Sequence, residues 1–185
     1  MYPFIRFFWG IYRASFQPRL YGATDMHVSH HICMPWDIDM FLELNNGRVL
    51  SLYDLGRFQM AQRLGMIAAI RRMGWALSIA GVSVRYRRRI TAFERFEVRS
   101  RFLCWDERFL YLEQSMWKRN GECASHVLYR AAAIEKGKAV PPAQVATALG
   151  HDEVSPPMPD WVAAWITAEA ERPWPPMEDS QSTQT

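Results

Sequence analysis

A chain of 185 residues has about the length of one domain and can bury a sizeable core without disulfide or metal staples. Hydrophobic residues make up 49% and charged residues 22%, which excludes a largely disordered chain, and no apolar run reaches the ~20 residues of a spanning helix, which excludes a polytopic membrane protein. The net charge of +3 is uneven, with seven acids against one base from Asp152 onward, and 19 of the 22 bases are Arg.

Arg presents a planar fork of donors that suits phosphate, so an anionic partner is expected. A phosphorylated small molecule fits better than nucleic acid, because no long Lys/Arg tract and no nucleic-acid-binding motif occurs. Cys33, Cys104 and Cys123 are odd in number and far apart. They argue against a disulfide framework or a zinc finger and for a reducing, cytoplasmic setting.

Residues 1–19 form the first segment. Pro3 can open a helix that Pro18 stops. Phe4, Phe7, Phe8 and Ile11 share a face, with Ile5, Trp9, Tyr12 and Phe16 beside it, while Arg6, Gly10, Arg13 and Gln17 make a narrow polar stripe. Arg6 interrupts what would be the apolar core of a secretory signal. Two placements fit the pattern: residues 3–17 lying on a membrane surface, or the same helix packed on the domain or on a partner.

A second segment, residues 20–150, carries the regular elements. Residues 26–34 alternate as a half-buried strand that Pro35 ends. A helix is expected from Asn46 to Leu64, with Asn45 or Asn46 as N-cap and Gly65 as stop. Residues 66–73 continue as a short helix. Four strands follow, at Ala76–Ile90, Phe93–Trp105, Phe109–Lys118 and Cys123–Glu135. Asp106-Glu107 and Asn120-Gly121 supply tight turns, so these strands are antiparallel. Ala143–Leu149 reads as a helix. Residues 151–185 add a helix around Trp161 and Trp165 and a polar, acidic tail ending EDSQSTQT. One apolar helix against one antiparallel sheet is an α+β arrangement.

Phosphate-loop, dinucleotide, zincin, nucleophile-elbow and paired-cysteine motifs are all absent. The informative stretch runs from Trp36 to Arg48, WDIDMFLELNNGR. It places Asp37, Asp39 and Glu43 in a loop that enters the helix at Asn46-Gly47-Arg48. The free amides of a helix N-terminus polarise a carbonyl oxygen, and a nearby carboxylate can attack the carbonyl or activate water. Acids before a helix also serve merely as caps.

Asp39, then Asn45-Asn46-Gly47-Arg48, then Tyr53-Asp54-Leu55-Gly56-Arg57 resemble the hotdog-fold acyl-CoA thioesterases of the 4-hydroxybenzoyl-CoA type. The stretch from Val84 to Gln114 resembles the subgroup that includes thioesterase superfamily member six. Glu43 departs from the pattern, since many members have His there. The resemblance implies a curved antiparallel sheet of about five strands around a central helix. It also implies a homodimer or homotetramer with the site at the dimer interface, and hydrolysis of an acyl-CoA without metal or organic cofactor. Asp39 would be general base or nucleophile, Asn46 would orient water or hold the loop, and Asn45, Gly47 and Arg48 would meet the substrate.

Arg85, Arg87 and Arg89 fit one row of a strand and could meet CoA phosphates, or form a solvated face paired with Glu94 or Glu97. On a strand His30 points away from His27, His31 and Cys33, so a shared metal is not expected. Asp54 and Arg57 suit an i,i+3 pair. The competing reading is a non-catalytic acyl-CoA or lipid binding protein at a membrane surface, motivated by Glu43 and the apolar N-terminal segment.

Overall fold

The computed structural model describes residues 2–176, so the terminal sequence EDSQSTQT lies outside the described residues. The chain divides into two compact units after Ser155. The first unit holds α1 (Phe4–Ala14), β1 (His27–Ile32), one turn of 3-10 helix (Pro35–Asp37), α2 (Asn46–Arg63) and α3 (Met66–Met73). It continues with β2 (Ala76–Tyr86), β3 (Arg95–Trp105), β4 (Leu110–Lys118), β5 (Cys123–Glu135), β6 (Lys138–Val140) and α4 (Pro142–Leu149). The second unit contains α5 (Asp160–Glu171).

Every strand pairing is antiparallel, in the order β1-β3-β4-β5-β2, with β6 added to β5. The sheet curls around α2, the hotdog arrangement expected from the sequence. Leu52, Tyr53 and Leu55 of α2 join Phe96 and Val98 of β3, Met116 of β4 and Val127 of β5 in one buried cluster. The hairpin turns form as their residues demand. Asp106 Oδ1 accepts from the amides of Arg108 and Phe109, and Gly121 takes the positive φ of 84°.

Gly56 sets how closely α2 seats on the sheet. A Cβ there would lie 2.7 Å from Val98 Cγ1 and 3.1 Å from Ser29 Oγ. This close seat inverts β1: its small and polar residues, His27 and Ser29, face the helix and are buried, while His30 faces out. Ser29 Oγ bonds His31 Nε2 at 2.8 Å, and Arg63 holds His27 Nδ1 at 3.0 Å. The three histidines therefore diverge to different partners, and among the described residues no cluster of His, Cys, Asp or Glu is placed to hold a metal.

The N-terminal helix belongs to the same compact unit as the sheet and packs along α2. It docks through its polar stripe as well as through Phe7. Gly10 and Ala14 are buried, Gly10 lies against Gln59, and Phe7 meets Phe58 edge-on at 4.8 Å. No helix among the described residues is long and apolar enough to cross a membrane.

Candidate active site at the N-terminus of α2

The loop before α2 is built on a buried acid. Asp37, fully buried, accepts from Arg6 at 2.6 Å, from Arg48 Nε at 2.7 Å and from the Met34 amide at 3.0 Å. Burial alone would raise its pKa, but the donors of Arg48, Met34 and Arg6 outweigh it and hold the carboxyl below the usual range. The Asp37 carbonyl takes the Asn45 amide, and a bridge between Ile38 and Leu44 closes a short loop over residues 39–43.

Asp39 stands at the base of that loop. Its backbone amide donates to the Glu43 carbonyl, and its Oδ1 accepts the Phe41 amide at 2.9 Å. Met40, Phe41 and Leu42 form an exposed apolar tip, with Leu42 at a φ of 59°. Asn45 caps α2 by accepting the Arg48 amide at 3.1 Å. Helix geometry leaves the amides of Asn46 and Gly47 without intrahelical acceptors, and both residues are exposed. Arg48, which the resemblance places at the substrate, donates its Nε–H to Asp37.

Beside this turn lies a cleft of about 200 Å³ lined by Glu43, Asn46, Tyr86, Arg87, Arg88 and Arg89, with Met116 and Ser125 at its floor. Tyr86 ties β2 to α2 by donating to the Asn46 carbonyl at 3.1 Å. Glu43 faces Arg89 at 2.7 Å, so this acid is paired with a cation. Arg88 pairs with Glu122 at 3.1 Å. Arg87 is exposed.

The arginines do not form the single strand row expected from the sequence. The ladder ends at Tyr86, because the amides of Arg87 and Arg88 both turn to the Ala124 carbonyl. Arg85 stays in the strand opposite His126 and does not line the cleft. Arg88, passed over in the sequence because of its parity, joins Arg87 and Arg89 there. Once regular strand geometry stops, alternation no longer sorts side chains by face.

A second polar group sits at the middle of α2. Asp54 and Arg57 form the expected i,i+3 pair, Tyr2 donates to Asp54 at 3.4 Å, and the Arg57 guanidinium lies 4.3 Å from the centre of the Tyr129 ring. Burial raises the Asp54 pKa despite Arg57. These contacts fasten the N-terminus and β5 to the helix.

Residues 33–166 match the profile of the Thioesterase-like superfamily. Protein THEM6 of Xenopus laevis is 32% identical over 164 residues, covering 88% of this chain and 78% of the frog protein. Among solved structures, YbaW, a probable thioesterase from Escherichia coli, aligns with a TM-score of 0.63 at 15% identity over 66% of this chain and 96% of its own. The DHNA-CoA thioesterase of Staphylococcus aureus aligns with a TM-score of 0.59 at 15% identity, over 78% and 91% of the two chains. With a curled sheet around one central helix and a family profile that spans most of its length, this chain belongs to the thioesterase-like superfamily and has its hotdog fold.

Proposed function

We propose that this protein hydrolyses an acyl-CoA thioester to the free acid and CoA. The observation that carries the reading is the exposed first turn of α2, whose Asn46 lines a cleft that bears three arginines in a chain of this superfamily. A thioester carbonyl at the turn would be polarised by its amides. Asp39, as base, takes a proton from water while the water oxygen bonds to the carbonyl carbon. The oxyanion then collapses, the carbon–sulfur bond breaks, and the thiolate leaves and is protonated. As nucleophile, Asp39 would instead form an acyl anhydride that water opens.

The Phe41 amide, bonded to Asp39 Oδ1, fixes the carboxylate's orientation, and among the described residues Oδ2 has no hydrogen-bond partner. Asn46 orients the water or holds the loop. Asn45 shapes the turn, and Arg87, Arg88 and Arg89 receive the phosphates of CoA. A homodimer completes the site: β2 is an edge strand, and its Leu77, Ile79, Val82 and Tyr86 are exposed.

Free-thiol release from short, long and aromatic acyl-CoAs tests the reading. Asp39→Asn should keep the melting temperature and lose on the order of 100-fold or more in turnover, the usual range for removing a general base. Turnover near wild type in the variant would exclude Asp39. Acyl-CoA binding without thiol release by the wild type would support the second reading, a binding protein, which rests on Glu43 being engaged by Arg89.

A further inference from the structure

We propose that the outer face of α1 docks on a phospholipid bilayer, with anionic headgroups seated in the groove between α1 and β1. A helix that packs on its own domain ordinarily turns its apolar side inward. Here Arg6 and Gly10, from the polar stripe, face the body, Arg6 to reach Asp37 and Gly10 to pass Gln59. Ile5, Phe8, Trp9, Tyr12 and Phe16 are left in solvent, Ile5 87% and Phe16 74% exposed. They recur at helical spacing and form one stripe.

The chemistry of this face selects a lipid surface. Trp and Tyr, both present, favour the headgroup boundary of a bilayer. The helix has 11 residues, about 17 Å at ~1.5 Å per residue, so it can lie on a bilayer but not cross its ~30 Å core. Residues 1–24 contain Arg6, Arg13 and Arg19 and no acid. The groove beside α1, about 420 Å³, is lined by Trp9 and Arg13 on the helix and by His30 and Trp36 across from it. Arg13 is exposed and has no ion pair among the described residues, so a headgroup phosphate can take it between the two tryptophans. A second copy of the chain fits poorly, because two such faces would bring like charges together.

Co-sedimentation of the full chain with vesicles tests this. Wild type should bind phosphatidylcholine–phosphatidylglycerol vesicles, and bind phosphatidylcholine alone about tenfold more weakly. High salt should weaken the former. Phe8→Ser with Trp9→Ser should lower binding to both vesicles by about tenfold or more. Arg13→Glu should lower binding to the anionic vesicles by about tenfold and leave the zwitterionic value unchanged. All three positions are exposed, and none belongs to the cleft at α2, so hydrolysis of a short acyl-CoA should be unchanged. Failure of the wild type to bind either vesicle, or equal binding by the double variant, would overturn the proposal. So would a change in oligomeric mass on Phe8→Ser/Trp9→Ser, which would assign the face to a second copy.

Discussion

Two acids two residues apart in the loop before α2 do different work. Asp37 is buried and clamped by Arg6 and Arg48, while Asp39 is partly exposed and touches only the backbone. Removing one partner of a buried ion pair usually costs about 3–5 kcal/mol, and here Arg48 remains. Arg6→Gln should therefore destabilise by about 2–3 kcal/mol in urea unfolding, with α1 proteolysed sooner. Unchanged stability would mean that Asp37 is satisfied by Arg48 alone. The histidines of β1 give a second outcome. Burial and Arg63 push His27 down to about 4, and burial and Arg6 push His31 down to about 3. Both are neutral in the fold, whereas an unfolded chain protonates them near 6.5. The unfolded state then binds more protons, so stability is lost as pH falls from about 6.5 toward 4. The melting temperature should drop through that window, and His27→Gln should flatten the slope.

At the scale of elements, the seat of α2 on the sheet is the most sensitive contact. Gly56→Ala places a methyl 2.7 Å from Val98 Cγ1, and Val98 is wholly buried and cannot swing aside. Such overpacking costs about 1–3 kcal/mol, readable as a lower melting temperature. A wild-type melting temperature would show that the helix shifts to accept it. Local chemistry made the elements legible. The Asn45 cap, the stop at Gly65 and the Asn120-Gly121 turn put α2, α3 and β5 within a residue or so of where the sequence predicted them. Alternation in residues 26–34 showed a half-buried strand but not which side was buried. The apolar face would be the ordinary choice, and the close approach of Gly56 makes it the polar one. Likewise no spacing rule links Arg6 to Asp37, 31 residues later. The motif picked out Asp39, Asn45, Asn46 and Gly47; Asn45 is the cap of α2, Asn46 and Gly47 open its first turn, and Asp39 lies in the loop before it, bonded to the Phe41 amide. Arg85, Arg87 and Arg89 do not share one strand row because the strand stops at Tyr86, and that stop depends on the distant Ala124 carbonyl.

For the molecule as a whole, the exposed side chains of β2 are a second unfinished surface beside that of α1. An edge strand that leaves Leu77, Ile79 and Val82 about 40% exposed is open to pairing. On the proposed dimer and activity, Ile79→Lys should give a monomer in analytical ultracentrifugation and reduce acyl-CoA hydrolysis with it, since charged edges block strand addition. An active monomer would show that one copy holds the complete site.

The short stretch after β2 has a backbone fastened at both ends. The Arg87 and Arg88 amides bond Ala124, the Arg89 carbonyl takes Lys118 Nζ at 3.0 Å, and the Ile90 carbonyl takes the Leu44 amide at 2.8 Å. The cleft's three cations thus project from a frame whose entropy was lost during folding. An anion arriving there needs to order side chains only, at about 0.5–1.5 kcal/mol each, and no loop has to be immobilised. Under the proposed function, preorganisation of this kind would let a mobile, highly charged ligand be caught by residues that look, from their exposure alone, like ordinary surface arginines.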